Sequence, residues 1–216
     1  MNPRLAVLLS HVTGPILADV GCDHALLAAA AVKTGRVRKV YACDIAEGPL
    51  NRARATIAKE GVTESVIPLL SDGLVALPEF CDQIVIAGMG AETIVEILTA
   101  GSGKLGPATR LLLSPHTKAS LLRQWLEEHG WIICQEQFVQ DRERFYPVMD
   151  VRPGSTDSGL KPEERLFGVS PLRDETWSMY LDAERTRLRQ LLERVPSPVK
   201  PGIRRQLELL EKAAGQ

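Results

Sequence analysis

Through residue 153 the chain alternates short apolar runs with helix-like stretches, and few architectures accept that order. Residues 16–20, 40–43, 66–70, 84–87 and 111–113 read as strands, with helices predicted over 24–34, 47–60, 90–100 and 118–129, the last ending at Gly130. Two strands follow in succession, 131–139 and 145–151, with polar Gln140-Asp141-Arg142-Glu143 between them. Parallel strands must be joined by crossovers, and helical crossovers cover both faces of the sheet. The expectation is an α/β fold over 1–153, a Rossmann-like sheet of seven strands with the last one antiparallel. Pro68 has no amide hydrogen to give and points to an edge position for its strand.

An apolar content of 44% in 216 residues excludes a disordered chain, and no apolar run approaches the ~18 residues of a membrane span. Met1-Asn2-Pro3-Arg4 leads into only five apolar residues before Ser10-His11. That is too short for the core of a secretory leader, so a cytoplasmic location is expected. Cys22, Cys43, Cys81 and Cys134 offer neither a Cys-x-x-Cys pair nor zinc-ligand spacing. They read as free thiols in a reducing compartment, with no metal and no membrane implied.

Residues 154–173, rich in Pro, Gly, Ser and Asp, read as a connector. Beyond it, Trp177, Leu181, Glu184, Leu188, Leu191 and Val195 keep the 4, 3, 4, 3, 4 spacing of a heptad seam interrupted by one Glu. Pro196, Pro198 and Pro201 break that helix, and Ile203, Leu207 and Leu210 resume the spacing. The pattern predicts an antiparallel helical hairpin over 174–216, standing off the sheet domain, with Trp177 and Tyr180 in its core. The net charge of −1 conceals an asymmetry. Arg185, Arg187, Arg189, Arg194, Lys200, Arg204 and Arg205 have only Glu193 among them, seven positive charges against one negative, which leaves −7 for the remainder. A basic end on an acidic body steers polyanions, so these seven are candidate RNA contacts. A solvated helix face or a dimerising coiled coil is the alternative.

The residues that carry chemistry fall in the turns after the strands. Asp19-Val20-Gly21-Cys22-Asp23-His24 stands where a nucleotide-binding fold has its glycine-rich loop, but only Gly21 remains and Asp23 occupies the second glycine position. Two carboxylates there repel a pyrophosphate and suit a ligand with a cationic end, such as the ammonium and sulfonium of S-adenosylmethionine. Asp23 as a helix cap is the alternative. Asp44, followed by Ile45, stands 23 residues after Gly21, where an acid holds a ribose diol. Asp72-Gly73 after the third strand lies where an adenine amino group would sit. Ala87-Gly88-Met89-Gly90 permits close backbone approach after the fourth, and Ser114-Pro115-His116 faces the same crevice after the fifth.

Asp-x-Gly-x-Asp-His-Ala-x-Leu over 19–27, Gly48-Pro49-Leu50, Asp72-Gly73-Leu74, Ile86-Ala87-Gly88-Met89-Gly90, Leu122-Arg123-x-Trp125-Leu126 and the C-terminal hairpin resemble the bacterial tRNA (adenine-22-N1)-methyltransferases, the TrmK family. Five strand–helix units closed by a β-hairpin are also the element order of class I methyltransferases. The resemblance spans essentially the whole chain. It implies S-adenosyl-L-methionine as cofactor, tRNA as partner and methylation of an adenine N1 in the D-arm region. Cofactor contacts are expected at Asp19, Gly21, Asp23, Asp44, Ile45, Asp72, Gly73, Ala87, Gly88 and Met89, and Asp23, His24, Gly88 and Met89 are expected at the reacting centre with Pro115, which the resemblance carries over. The chain departs from the family at Ala91, usually glycine, and at Ser114-Pro115-His116, usually Gln-Pro-Asn. A small-metabolite methyltransferase and a non-catalytic RNA-binding protein with a relic crevice stand as alternatives. The basic hairpin argues against the first, and the departures keep the second open.

Overall fold

The computed structural model describes residues 2–155, 158–169 and 171–215; the parts of the expected domains that fall on 1, 156, 157, 170 and 216 lie outside the described residues. Its sheet holds β1 (Ile16–Val20), β2 (Lys39–Asp44), β3 (Val66–Leu70), β4 (Gln83–Ala87), β5 (Arg110–Ser114), β6 (Trp131–Asp141) and β7 (Arg144–Pro153) in the order β3-β2-β1-β4-β5-β7-β6. The first five strands run parallel, and β7 is antiparallel to both β5 and β6. β3 pairs only with β2, so Pro68 sits on an edge strand.

The inner strands are almost continuously buried because both faces are covered. Leu17, Val40, Val85 and Leu112 pack on one face with Leu8 of α1 (Pro3–His11), Ala28 of α2 (Leu26–Lys33) and Leu50 of α3 (Glu47–Glu60). Ala18, Ile84, Leu111 and Leu113 pack on the other with Ile94 of α4 (Ala91–Ala100) and Leu122 of α5 (Ala119–Glu128). The chain leaves β1 toward β2 on one side and returns to β4 on the other. A crevice therefore opens at the carboxyl ends of β1 and β4, where open α/β sheets bind ligands.

Several elements differ from the sequence reading. The N-terminal run forms α1, capped by the Asn2 side chain, which accepts from the Leu5 amide at 2.7 Å. The link from β3 to β4 is made of turns, so four strand–helix units rather than five precede the closing strands, which are longer than expected. The 154–173 stretch contains α6 (Pro162–Phe167). The hairpin, α7 (Glu175–Arg194) and α8 (Lys200–Gly215), does not stand clear of the sheet. Its core of Trp177, Leu181, Leu188, Ile203 and Leu210 takes in Phe138 of β6 and Phe167 of α6. Tyr180 stacks on Phe138 with ring centroids 4.2 Å apart. Pro201 falls in the first turn of α8, where a missing amide hydrogen costs nothing.

A buried ion pair ties these parts together. Arg123 of α5 donates from Nε to both carboxylate oxygens of Glu136 on β6, at 3.0 and 3.2 Å. Its Nη1 donates to the carbonyls of Arg165 and Leu166 at 3.1 and 3.0 Å, so a guanidinium caps the carboxyl end of α6. Glu136 also accepts the Val169 amide. Removing one partner strands the other charge in the interior. Arg123→Ala is expected to cost about 3–5 kcal/mol in urea unfolding; a loss under about 1 kcal/mol would contradict this account of the latch.

Candidate functional site

The turn after β1 is shaped by backbone conformations that few residues adopt. Gly21 has φ +75°, and a Cβ built there would lie 2.2 Å from Met89 Cε, so the glycine lets the β1 and β4 turns meet. Asp23 and Ala25 are also left-handed, at φ 46° and 52°, and α2 starts at Leu26 rather than at 24. The amides of Gly21 and Cys22 both donate to the Cys43 carbonyl at 2.9 Å, leaning the turn over the end of β2. Asp44 fixes this arrangement: its Oδ2 accepts from the Asp23 amide at 3.3 Å and its Oδ1 from the Ala46 amide at 3.2 Å.

The carboxylates here differ in environment. Asp19 is buried at the end of β1. Burial pushes its carboxyl up to about 7, with Asp44 adding to the rise and the hydrogen bond from the Ala28 backbone opposing it. Asp23 is exposed and does not cap α2; its Oδ1 accepts from Arg52 Nη2 at 2.6 Å, and its Oδ2 lies 3.6 Å from His24 Nε2. Asp72 is exposed beside Gly73, whose φ is +58°. Ile45, 69% exposed, gives this edge an apolar face. Cys22 is no nucleophile, because burial first and then Asp19 and Asp44 push its thiol far up.

At the neighbouring strand ends the β4 and β5 turns are stitched together. The Gly88 amide donates to the Ser114 carbonyl at 3.2 Å, and the His116 amide to the Met89 carbonyl at 2.7 Å. The Met89 carbonyl thus already has a backbone partner. Pro115 is buried and His116 exposed. Arg4 of α1 donates to His116 Nε2, and Tyr146 of β7 lies against the imidazole with ring centroids 5.1 Å apart. Partial burial, then Arg4 and Arg144, push the imidazole below its ordinary value. Ala91 opens α4 with a fully buried methyl and no positive φ.

Of the seven basic residues of the C-terminal end, three are held by acids: Arg185 by Glu211 at 2.8 Å, Arg187 by Glu184 at 2.7 Å and Arg205 by Glu208 at 2.9 Å. Arg189, Arg194, Lys200 and Arg204 have no ion-pair partner among the described residues. A groove of about 270 Å³ runs from His116 and Lys118 past Phe145 and Tyr180 to Arg187, joining the β5 turn to the hairpin. Among the described residues there is no cluster of three His, Cys, Asp or Glu able to hold a metal, and no helix long and apolar enough to cross a membrane.

A family model described as a methyltransferase domain matches residues 1–149. The tRNA (adenine(22)-N(1))-methyltransferase of Bacillus subtilis is 31% identical over 160 residues, 73% of this chain and 67% of that protein. The chain belongs to the tRNA (adenine-22-N1)-methyltransferase family. Among solved structures, a Streptococcus pneumoniae protein in complex with S-adenosyl-L-methionine matches at 30% identity and TM-score 0.88 over 98% of both chains. M. capricolum TrmK in complex with S-adenosyl-homocysteine matches at 25% identity and TM-score 0.86, covering 99% of this chain and 97% of that one.

Within this tRNA methyltransferase fold, Asp19, Gly21, Asp23, His24, Asp44 and Ile45 gather at one end of the crevice. Gly88, Met89 and Pro115 lie at the next two strand ends, and Asp72-Gly73 follows β3 beyond Asp44. The basic residues of the hairpin are not part of this edge, and of the seven Arg187 lines the groove that runs to it. Arg52, Arg4 and Tyr146 escaped the sequence reading. Their partners Asp23 and His116 lie in other turns, and no local pattern announces such pairs. Gly21→Ala is expected to cost about 1–2 kcal/mol through its left-handed backbone and to displace Met89. An unchanged denaturation midpoint would contradict the strained turn.

Proposed function

We propose that the protein methylates N1 of an adenine in tRNA, at position 22 of the D-arm region, using S-adenosyl-L-methionine. The observation that carries this reading is the set of carboxylates around the Gly21 turn, at the crevice of a fold shared with relatives that bind this cofactor. The donor set fits. Asp19 and Asp23 offer negative charge to an ammonium and a sulfonium and would repel a pyrophosphate. Each Asp44 oxygen has one backbone donor and keeps a lone pair for a ribose hydroxyl. Ile45 presents an apolar face to an adenine, and Asp72 beside Gly73 an acceptor to its amino group. Ala87, Gly88 and Met89 line the methyl end.

The bound cofactor supplies an electrophilic methyl carbon whose transfer leaves a neutral thioether. Adenine N1 carries its own lone pair at neutral pH, so no side chain need first remove a proton. The N1–carbon bond forms as the carbon–sulfur bond breaks, and the bonding pair leaves on sulfur. The protein's part is alignment and exclusion of water, which supply up to roughly 7–11 kcal/mol in well-oriented systems. The stitched Gly88–Met89 and Ser114–His116 turns give the rigid edge that alignment needs. Gly88, Met89 and Pro115 frame the base there, with Asp23 and His24 the polar pair on the cofactor side. Unpaired Arg189, Arg194, Lys200 and Arg204, with Arg187 on the groove, take up RNA phosphates, which carry most of the affinity. A paired base must leave its stack at a few kcal/mol, and that binding supplies it. Free thiols and a tRNA substrate suit a cytoplasmic location.

Incubation with labelled S-adenosyl-L-methionine and bulk tRNA should label the RNA, and nucleoside digestion should yield 1-methyladenine. Reversing Arg187, Arg189 and Arg194 to Glu should weaken tRNA binding at low salt by more than tenfold with cofactor affinity intact; labelled small molecules, or unchanged tRNA affinity, would overturn the reading. The Asp19 carboxyl, raised to about 7, is mostly neutral at pH 6 and gains its charge above pH 7. Affinity for the cationic donor should therefore climb between pH 6 and 7.5, with protons released on binding, as calorimetry in buffers of different ionisation enthalpy would show. Asp19→Asn should flatten that climb; a variant with the same slope would remove Asp19 from the site.

A further inference from the structure

Three elements meet above Gly88 in a way the methyl-transfer reading does not use. Helix α1 brings Arg4, the β5 turn brings His116, and the start of β7 brings Tyr146. A Cβ placed on Gly88 would lie 3.7 Å from Arg4 Nη2 and 4.0 Å from His116 Nε2, so the cation and the imidazole rest just over the floor of the methyl end. The Arg4 guanidinium also lies over the Tyr146 ring, 5.1 Å from its centroid. Arginine has no lone pair to offer, so Nε2 must accept from it. The imidazole is then neutral, with its proton on Nδ1.

Arg4 has no carboxylate partner among the described residues. Arg144, which acts on His116 electrostatically, has no ion-pair partner either among those residues, and the turn carrying it borders Tyr146. A guanidinium whose acceptor is a neutral imidazole is poised for an anion. A phosphate carries a full negative charge and can accept two parallel bonds from the guanidinium fork, which a neutral imidazole cannot, so a phosphate displaces the imidazole as its partner. The exchange leaves the His116 Nε2 lone pair free at the edge where the base enters.

We propose that Arg4, His116 and Tyr146 form a clasp for the target nucleotide, in which Arg4 exchanges the imidazole for a backbone phosphate and the freed Nε2 accepts a hydrogen from the adenine exocyclic amine. This rests on the adenine-N1 reading above. Positive charge spreads to the exocyclic nitrogen as the N1–carbon bond forms, so the hydrogen bond to Nε2 strengthens in the transition state and speeds transfer rather than merely binding the base. Tyr146 keeps the guanidinium over its face in both arrangements.

The test is steady-state kinetics of the full chain with tRNA across a salt series, alongside calorimetric titration of S-adenosyl-L-methionine. Arg4→Ala should raise the KM for tRNA about tenfold and lower the slope of log KM against log salt by about 0.7–0.9, the share of one phosphate contact. Cofactor affinity should stay within twofold, and Arg4→Lys should restore the slope. His116→Ala should lower kcat at least tenfold with little change in KM, whereas His116→Asn, whose amide oxygen accepts the same hydrogen, should recover most of it. Unchanged KM and slope in Arg4→Ala, or unchanged kcat in His116→Ala, would overturn the clasp. A wild-type protein that forms no 1-methyladenine would instead overturn the function on which it rests.

Discussion

The carboxyl groups gathered at the ends of β1 and β2 are the constraint on which the proposed function depends. Asp19 is held there out of water, and its carboxyl is correspondingly reluctant to ionise. Asp44 binds two backbone amides and so fixes both the Gly21 turn and the entry to α3. A phosphate-binding loop achieves closeness with several glycines and offers amides to an anion. This turn keeps one glycine for close approach and carries acids where such a loop offers amides, and the proposed preference for a cationic ligand follows from that exchange.

The remainder of the fold supports that edge at a distance. Both faces of the sheet are packed, so the strand ends are rigid, and the amide bonds between the β4 and β5 turns make one continuous rim. The hairpin is held to this body by Phe138 and Phe167, and the Arg123–Glu136 pair beneath it joins α5, β6 and α6. These contacts seat the basic arm against the body, with the groove between it and the β5 turn. The proposed grip of a polyanion on the helices, with one of its bases at the sheet, rests on this arrangement.

Much of this was legible in the sequence because its cause is local. The parallel strands announce themselves as apolar runs, since burial on both faces demands them, and Pro68 marked its strand as an edge. The heptad spacing found the hairpin for the same reason. What escaped depends on contacts between distant residues. Helix α6 hides in a stretch of turn-forming composition and is capped from elsewhere by Arg123. Helix α1 shows in the sequence only as a five-residue apolar run, with its cap at Asn2. The docking of the hairpin rests on Phe138, whose position in β6 says nothing of Tyr180 or Trp177. In the site, Gly21, Asp23 and Asp44 could be placed from spacing. The pairing of Asp23 with Arg52 and of His116 with Arg4 spans 29 and 112 residues and leaves no periodic trace.

The account stands on charge selection at the crevice, and isothermal titration of the purified chain tests it most directly. S-adenosyl-L-methionine and its demethylated product, which share the ammonium group, should both bind, while NADH and ATP, with their pyrophosphate and triphosphate, should give no heat of binding. Tight uptake of either nucleotide, with none of the sulfonium donor or its product, would contradict it.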